Sequence, residues 1–234
     1  MKNKKSVAII FICHDNISTK ECLKKIDSSY ILFVGDNKID EILSANPRVV
    51  VARELSNNIE SEKKLLTFTA WYAIIKNNLF SEYEYICLFE YDIVIEPSFE
   101  TTIRTVTQDT TTDVVSFMKT IYNLLSDHVT GMKWVNEDIL DEFIRSKNIE
   151  DPNKYKQTTW FCTTNHCIRR NILHDFVDWY YPNCLTIIKA KDLKQLSWYH
   201  ERIFFMYMNI KELKVFHLDG ILHHLQKCSH DTFQ

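Results

Sequence analysis

The chain has 234 residues, and 28 basic against 31 acidic side chains give it a net charge of −3. Its 45% apolar and 25% charged content is typical of globular proteins and excludes collagen-like, disordered and coiled-coil classes, while the near-neutral charge argues against a nucleic-acid partner. Because there are only three glycines, neither a Gly-x-Gly-x-x-Gly loop nor a P-loop can be present.

The first half of the chain predicts strands alternating with helices. Three short runs rich in β-branched residues predict buried strands, at Val7–Cys13, Tyr30–Val34 and Arg48–Ala52. A short helix is predicted between the first two, at Thr19–Ile26. A longer amphipathic helix is predicted at Ser61–Asn78, where apolar residues recur at steps of three and four.

The rest of the chain predicts further elements of both kinds. Tyr85–Ile95 is predicted as one long strand ended by Pro97. The remaining predicted strands are Asp113–Met118, Trp160–Arg169 and Leu213–Leu218, and the remaining predicted helices are Glu137–Lys147, Asn171–Tyr180 and His200–Met208. This order predicts an α/β fold with a mainly parallel sheet, in a single domain over residues 1–234.

Seven cysteines form an odd, scattered set, several of them inside apolar strands. Such a set predicts free thiols in a reducing compartment rather than a disulfide framework. The apolar run at Val7–Cys13 is too short for a transmembrane helix. We therefore expect a cytoplasmic protein without a transmembrane segment.

An acidic pair, Glu90 and Asp92, interrupts the apolar run at 85–95. Residues two apart in a strand point the same way, so both carboxylates are predicted on one face. Burying two like charges is costly, and a divalent cation with its preference for carboxylate oxygens compensates them best. The alternative is that the strand ends at Phe89 and the carboxylates are solvated.

This context resembles the GT-A glycosyltransferases, in which a "DXD" motif holds Mn²⁺ or Mg²⁺ against the diphosphate of a nucleotide-sugar. The sequence Glu90-Tyr91-Asp92 resembles that motif, with glutamate in the first position. The resemblance implies that Asp92 is the direct metal ligand and that Tyr91 lies near the sugar or ribose. It implies that Glu90 either binds the metal as well or acts on the nucleotide-sugar through a water or a sugar hydroxyl. The segment Thr163–Tyr181 is reminiscent of small bacterial and large-DNA-virus enzymes that build surface glycans.

Two late segments fit the same resemblance. Glu201 looks like the family's late acidic motif at a helix start, which implies a general base facing the acceptor, and inversion at the sugar. The alternative is a surface carboxylate that stabilises a helix N-terminus. The family often completes its metal site with a histidine near the C-terminus, here His223 or His224, with His224 preferred; a mixed oxygen and nitrogen set suits Mn²⁺.

Other residues are candidate ligands of the substrates. Asp15 and Asn16 follow the first strand, where the family contacts base and ribose, although a turn also favours Asp and Asn. Lys63 is a candidate for the diphosphate, and Trp160 and Trp198 for stacking on the acceptor; solvation of the lysine and core packing of the tryptophans are the alternatives.

The sequence therefore predicts transfer of a hexose or deoxyhexose from a nucleotide diphosphate, with UDP favoured, to a glycan or glycoprotein hydroxyl. Residues 1–96 are assigned to nucleotide binding and residues 97–234 to acceptor binding. A nucleotidyltransferase using the same acidic pair, and an inactive carbohydrate- or protein-binding domain of this fold, are the two alternatives.

Overall fold

The computed structural model describes residues 5–61, 67–108, 111–117, 121–123, 137–149, 151, 159–161, 164–187, 193–218 and 220–224. The strands in these ranges are β1 (Lys5–Cys13), β2 (Tyr30–Phe33), β3 (Val49–Val51), β4 (Tyr83–Glu90), β5 (Ile93–Ile95), β6 (Val114–Ser116), β7 (Ile121–Asn123), β8 (Thr159–Phe161), β9 (His166–Arg169), β10 (Val215–His217) and β11 (Leu222–His224). The helices are α1 (Asn16–Lys25), α2 (Glu41–Ser44), α3 (Thr67–Lys76), α4 (Phe99–Val106), α5 (Glu137–Ser146), α6 (Arg170–Ile187) and α7 (Leu193–Ile210), with a short 3₁₀ turn at Ala52–Glu54.

Seven of these strands form one sheet, in the order β10-β6-β9-β4-β1-β2-β3. Strands β4, β1, β2 and β3 run parallel to one another, and β10 runs parallel to β6. Strand β9 runs antiparallel to both of its neighbours, β4 and β6. The pairs β5–β11 and β7–β8 form two small antiparallel sheets apart from the main one. The carboxyl ends of β1, β2 and β4 therefore share one edge, which is where open α/β sheets bind ligands.

Strand β1 shows why the sheet is buried on both faces. Its alternate residues Ala8, Ile10 and Ile12 join a core with helices α3, α5, α6 and α7. The residues between them, including Val7, Ile9 and Phe11, join a second core with α1, α2 and α4. A strand that buries both faces needs a continuous apolar run, and β1 supplies one.

The predicted α/β class, with a mixed, mainly parallel sheet flanked by helices in a single domain, is confirmed. The predicted strands at 7–13, 30–34, 48–52, 113–118 and 213–218 are present, and none of their ends shifts by more than two residues. The long helix predicted at 61–78 is described from Thr67 to Lys76, and its predicted first turn lies partly outside the described residues.

Four predicted elements differ from the structure, and one of them is the helix predicted at 200–208, which extends from Leu193 to Ile210. The strand predicted at 85–95 is two strands in different sheets, β4 and β5. The strand predicted at 160–169 is likewise two, because β8 pairs with β7 while β9 enters the main sheet. The helix predicted to end at Tyr180 continues through Pro182 to Ile187. Local apolar runs do not reveal which partner each half of a segment pairs with.

Helix α4 is an element that the sequence did not predict. Its apolar residues Phe99, Ile103 and Val106 are spaced by four and three, and Phe99 and Ile103 are fully buried. Several threonines, which favour strands, obscure this helical spacing.

The described cysteines, Cys13, Cys22, Cys87, Cys167 and Cys184, are free and buried, as predicted for these five. Among the helices in the described ranges, none is both long enough and apolar enough to cross a membrane.

The aromatic core beneath the sheet gives a test of the packing. Phe176 of α6 is fully buried, and its ring contacts six others, those of Phe68, Trp71, Trp179, Tyr180, Phe204 and Tyr207. We expect Phe176→Ala to lower the free energy of unfolding by about 3–5 kcal/mol, because the cavity is walled by rings from three helices. Ile42→Ala, at an 87% exposed position, should change it by less than about 0.5 kcal/mol. Urea unfolding measures both, and equal losses would contradict this packing.

Candidate active site

The acidic motif lies where the chain leaves the main sheet. Glu90 is the last residue of β4, Tyr91 and Asp92 form a turn, and β5 begins at Ile93. The prediction that Glu90 and Asp92 share one face of a single strand is therefore wrong. The two carboxylates are brought near each other by a turn and not by strand alternation.

Helix α1 holds this turn in place. The Lys25 ammonium donates to the backbone carbonyls of Tyr91 and Ile93, both at 2.6 Å, and so binds the residues on either side of Asp92. The Cys22 thiol contacts the same Tyr91 carbonyl at 3.5 Å, and the Lys25 Nζ lies 5.4 Å from the centre of the Phe11 ring. Carbonyls bound to a cation cannot rotate freely, so helix α1 restrains the backbone on both sides of Asp92.

Glu90 faces the layer of α3 and α7. In β4 the residues two and four positions earlier, Leu88 and Ile86, belong to that core, and strand alternation places Glu90 on the same face. The Glu90 backbone N–H donates to the side-chain oxygen of Asn165, at 2.8 Å. Asn165 is buried immediately before β9, so this neighbouring strand fixes the end of β4.

Glu201 belongs to helix α7, which packs on the face of the sheet to which Glu90 points. It lies in the middle of α7, not at a helix start, so both its predicted position and the alternative role at a helix N-terminus are wrong. Its Oε2 is enclosed and has no hydrogen-bond partner among the described residues. Burial raises the pKa of Glu201 to about 8, with the negative charge of Glu90 adding to the rise and the Arg202 guanidinium opposing it. A carboxyl with such a pKa has the basicity that suits a general base near neutral pH.

His200, the neighbour of Glu201, has a structural position. Its Nδ1 lies 2.6 Å from the Tyr180 hydroxyl, and its ring stacks on Phe68 with centroids 5.8 Å apart. The expectation that it packs and hydrogen-bonds nearby, in preference to acting as the base, agrees with this placement.

Asp92 is the residue best suited to a cation. Its side chain is half-buried, and its Oδ1 is enclosed without a hydrogen-bond partner in the part of the chain that the structure describes. An enclosed carboxylate oxygen of this kind is costly unless a cation or donor satisfies it. Within the described side chains, no three His, Cys, Asp or Glu residues lie close enough to hold a metal by themselves. A site of one or two carboxylates completed by substrate phosphates is the usual arrangement for Mg²⁺, and these residues fit it.

The two predicted histidine ligands are placed by their backbone. In the β5–β11 pair, His224 lies opposite Ile93 and His223 opposite Val94. The backbones of both histidines are therefore close in space to the turn that contains Asp92. Their side chains lie outside the described part of the structure, and the choice between them stays a prediction.

A cavity of about 360 Å³ opens beside the acidic turn. It lies at the carboxyl edge of β1, β2 and β4, and its size falls within the usual range of ligand pockets. It is lined by Ile12, His14, Val34, Gly35, Asp36, Asn37, Glu60, Thr67, Thr69, Glu90 and Tyr91. The His14 and Tyr91 rings meet edge to face with centroids 4.9 Å apart. Burial raises the pKa of Tyr91, and the charges of Asp92, Asp15 and Glu90 raise it further.

Asp15 and Asn16 follow β1 but are occupied by backbone and loop contacts. The Asp15 carboxylate caps α1 by accepting from the Ser18 N–H at 2.8 Å. Burial acts to raise the Asp15 pKa, but the hydrogen bonds from Ser18 and the nearby His14 keep it below its ordinary value. Asn16 uses both ends of its amide on the loop at Lys38 and Asp40. Their predicted nucleotide contacts stay predictions, and turn formation accounts for both residue types.

For three more predicted site residues, the structure describes the backbone at most. Lys63 lies outside the described residues, and the side chains of Trp160 and Trp198 are not described. Their backbones belong to β8 and α7, two elements that lie against each other. The strand that carries Trp160 is therefore next to the helix that carries Glu201.

Lys25, Asn165 and Glu60 were not found from the sequence. Lys25 and Asn165 act on backbone groups more than 60 positions away, and no local pattern marks such a contact. Glu60 follows an asparagine-rich turn where an acidic residue looks solvated, although it is buried. Its one sequence signal is its position directly before a strongly predicted helix.

The comparisons with known proteins give the fold but no close relative. No family model and no curated protein matches the sequence. Among solved structures, the chain is similar to the bifunctional glycosyltransferase WbbM in its apo form, with a TM-score of 0.63 and 13% identity over 95% of this chain and 46% of that one. The mannosyltransferase Ktr4p from S. cerevisiae matches with a TM-score of 0.37 and 11% identity, over 88% of this chain and 62% of that one.

The chain thus spans less than half the length of the WbbM chain. At this identity the similarity concerns the fold, and it confirms the glycosyltransferase-type α/β fold that the sequence resemblance implied.

The contact between α1 and the acidic turn can be tested directly. We expect Lys25→Met to lower the free energy of unfolding by about 1–3 kcal/mol, because the carbonyls of Tyr91 and Ile93 lose their charged donor. Amide exchange in a peptide covering residues 88–96 should become faster. Lys24→Met removes an exposed neighbouring charge and should change neither quantity. Identical exchange in the two variants would contradict the role of Lys25.

Proposed function

We propose that the chain is a metal-dependent glycosyltransferase that moves a sugar from a nucleotide-diphosphate donor, with UDP favoured, to a hydroxyl of a glycan or glycoprotein. The observation that carries the proposal is the enclosed, unpartnered carboxylate oxygen of Asp92, next to two residues that line the cavity. The reaction class is supported by WbbM, a bifunctional glycosyltransferase whose fold this chain shares.

The residues around the acidic turn are assigned to binding of the cation and the nucleotide donor. Asp92, with Glu90, binds the cation together with the donor diphosphate, and the cavity beyond them takes the nucleoside. His223 or His224 is the candidate for a further ligand. The divalent cation, Mn²⁺ or Mg²⁺, supplies Lewis-acid stabilisation of the charge that develops on the departing diphosphate.

Glu201 acts on the acceptor side. Its carboxylate accepts the proton of the acceptor hydroxyl as that oxygen forms its bond to the anomeric carbon, and attack opposite the leaving diphosphate inverts the configuration there. A base whose carboxyl oxygen is enclosed by protein keeps its basicity for the acceptor proton. Trp160 and Trp198, on elements beside it, are the candidates for stacking on the acceptor.

The first test concerns joint binding of nucleotide and cation. UDP with Mn²⁺ should raise the melting temperature by more than the sum of the shifts with UDP or Mn²⁺ alone, because the diphosphate completes the ligand set. Asp92→Ala should remove this excess, whereas Asp27→Ala, at an exposed position, should retain it. Shifts with UDP that are the same with and without EDTA would contradict metal-dependent binding.

The second test concerns Glu201. Glu201→Gln keeps the shape of the side chain and removes its basicity, so transfer to the acceptor should fall about 10²–10⁴-fold. Affinity for UDP with Mn²⁺ should not change, since Glu201 is assigned to the acceptor. Glu212→Gln, at an exposed position, is the matched control and should transfer normally. Normal transfer by Glu201→Gln would remove this residue from the mechanism.

Product analysis separates the proposal from its alternatives. A glycosyltransferase releases UDP from UDP-sugar, by transfer to acceptor or slowly to water. A nucleotidyltransferase releases pyrophosphate from a nucleoside triphosphate in the presence of a sugar phosphate. An inactive binding domain releases neither, while still being stabilised by its ligand.

A further inference from the structure

Glu60 is a buried acid that the proposed mechanism does not use. It precedes α3, its side chain is only 9% exposed, and it lines the cavity. Its Oε2 accepts a hydrogen bond from the Gly35 N–H at 2.5 Å. Its Oε1 is enclosed and has no hydrogen-bond partner among the described residues. Leaving a charged acceptor in this state costs free energy that a ligand with a suitable donor recovers.

The other lining residues restrict what that ligand is. Asp36, Glu60 and Glu90 are acidic, and no lysine or arginine is among the described residues that line the cavity. A carboxylate oxygen among other acidic groups favours a neutral ligand group that donates a hydrogen bond to it. Ile12 and Val34 add aliphatic surface, on which a flat ring can be buried.

The sheet order places Glu60 away from the diphosphate. Gly35 follows β2, whereas the acidic turn follows β4, and β1 lies between these two strands. Two strand spacings separate the sites by about 10 Å. In a nucleotide whose diphosphate lies at the acidic turn, the part farthest from the phosphates is the base.

We infer that Glu60 is the residue that selects the nucleobase, by accepting a hydrogen bond from a ring imino N–H. This inference rests on the proposed function and adds to it the class of base. Uracil, thymine and guanine carry such an N–H. Cytosine and adenine present a bare ring nitrogen at that position, whose lone pair would face the lone pairs of Oε1. They donate only from the exocyclic amino group beside it, so these bases would have to shift to bind the carboxylate.

The Gly35 N–H would fix the orientation of a glutamine amide at position 60, so Glu60→Gln has a predictable effect on the cavity. In Glu60→Gln, the amide oxygen must accept from Gly35, which turns the NH₂ group towards the cavity. The variant therefore offers a donor where the natural side chain offers an acceptor. Its preference should shift towards bases with a bare ring nitrogen.

Calorimetric titration of nucleoside diphosphates in the presence of Mn²⁺ measures this preference without any turnover. The natural protein should bind UDP, dTDP and GDP at least about tenfold more tightly than CDP and ADP, since an unsatisfied buried acceptor costs about 1.4 kcal/mol or more. In Glu60→Gln the ratio of UDP to CDP affinity should fall at least about tenfold. Glu54→Gln, at an exposed position outside the cavity, should leave the ratio unchanged.

The outcomes separate this inference from the proposed function. Binding of no nucleotide by the natural protein would overturn the proposed function itself. Equal binding of UDP and CDP by the natural protein, or an unchanged ratio in a folded Glu60→Gln, would overturn the role of Glu60 alone. Weaker binding of dUDP than of UDP, together with equal UDP and CDP affinity, would assign the carboxylate to the ribose hydroxyl and would equally overturn it.

Discussion

Burial of the Glu201 carboxyl next to the negative charge of Glu90 is the constraint on which the rest of the site depends. The fold brings them together from β4 and α7 and buries Glu201, so that the pKa of Glu201 rises to about 8. Between pH 4.5, the ordinary pKa of a glutamate, and about pH 8, the Glu201 carboxyl keeps its proton in the folded chain but has lost it in the unfolded chain. Glu201 therefore costs stability as the pH rises through that range. Folds retain such a cost mainly where the strained group has a function.

Hydrogen bonds and core packing around Glu90 and Glu201 hold the two acidic side chains in place. Lys25 holds the carbonyls on both sides of Asp92, and Asn165 holds the amide of Glu90, so the acidic groups cannot move apart by unwinding the end of β4. The aromatic core around Phe176 supports α7 from behind. An edge of fixed negative charge, with an enclosed carboxylate oxygen at Asp92, has the electrostatic character that attracts a divalent cation.

The sequence predicted the parts of this architecture that local patterns encode. Continuous apolar runs identified β1, β2 and β3, and helical spacing identified α3 and α5, because burial on one or both faces imposes those periods. The acidic motif was also found, but its geometry was wrong, since a run of apolar residues does not show that β5 pairs with β11 and not with the main sheet. Lys25, Asn165 and Glu60 were missed because each acts on a backbone group distant in sequence. Glu201 was found through a resemblance, while its burial in the middle of a helix could be seen only in the fold.

The proposed function depends on joint binding of a divalent cation and a nucleotide diphosphate at the Asp92 turn. Crystals grown with UDP and Mn²⁺, measured at the manganese absorption edge, locate the cation without any assumption about the reaction. We expect one anomalous peak within coordination distance of an Asp92 carboxylate oxygen and of the diphosphate oxygens, with the uracil in the cavity beside Glu60. Bound UDP with no manganese at Asp92, or manganese held away from the turn between Glu90 and Ile93, would contradict it.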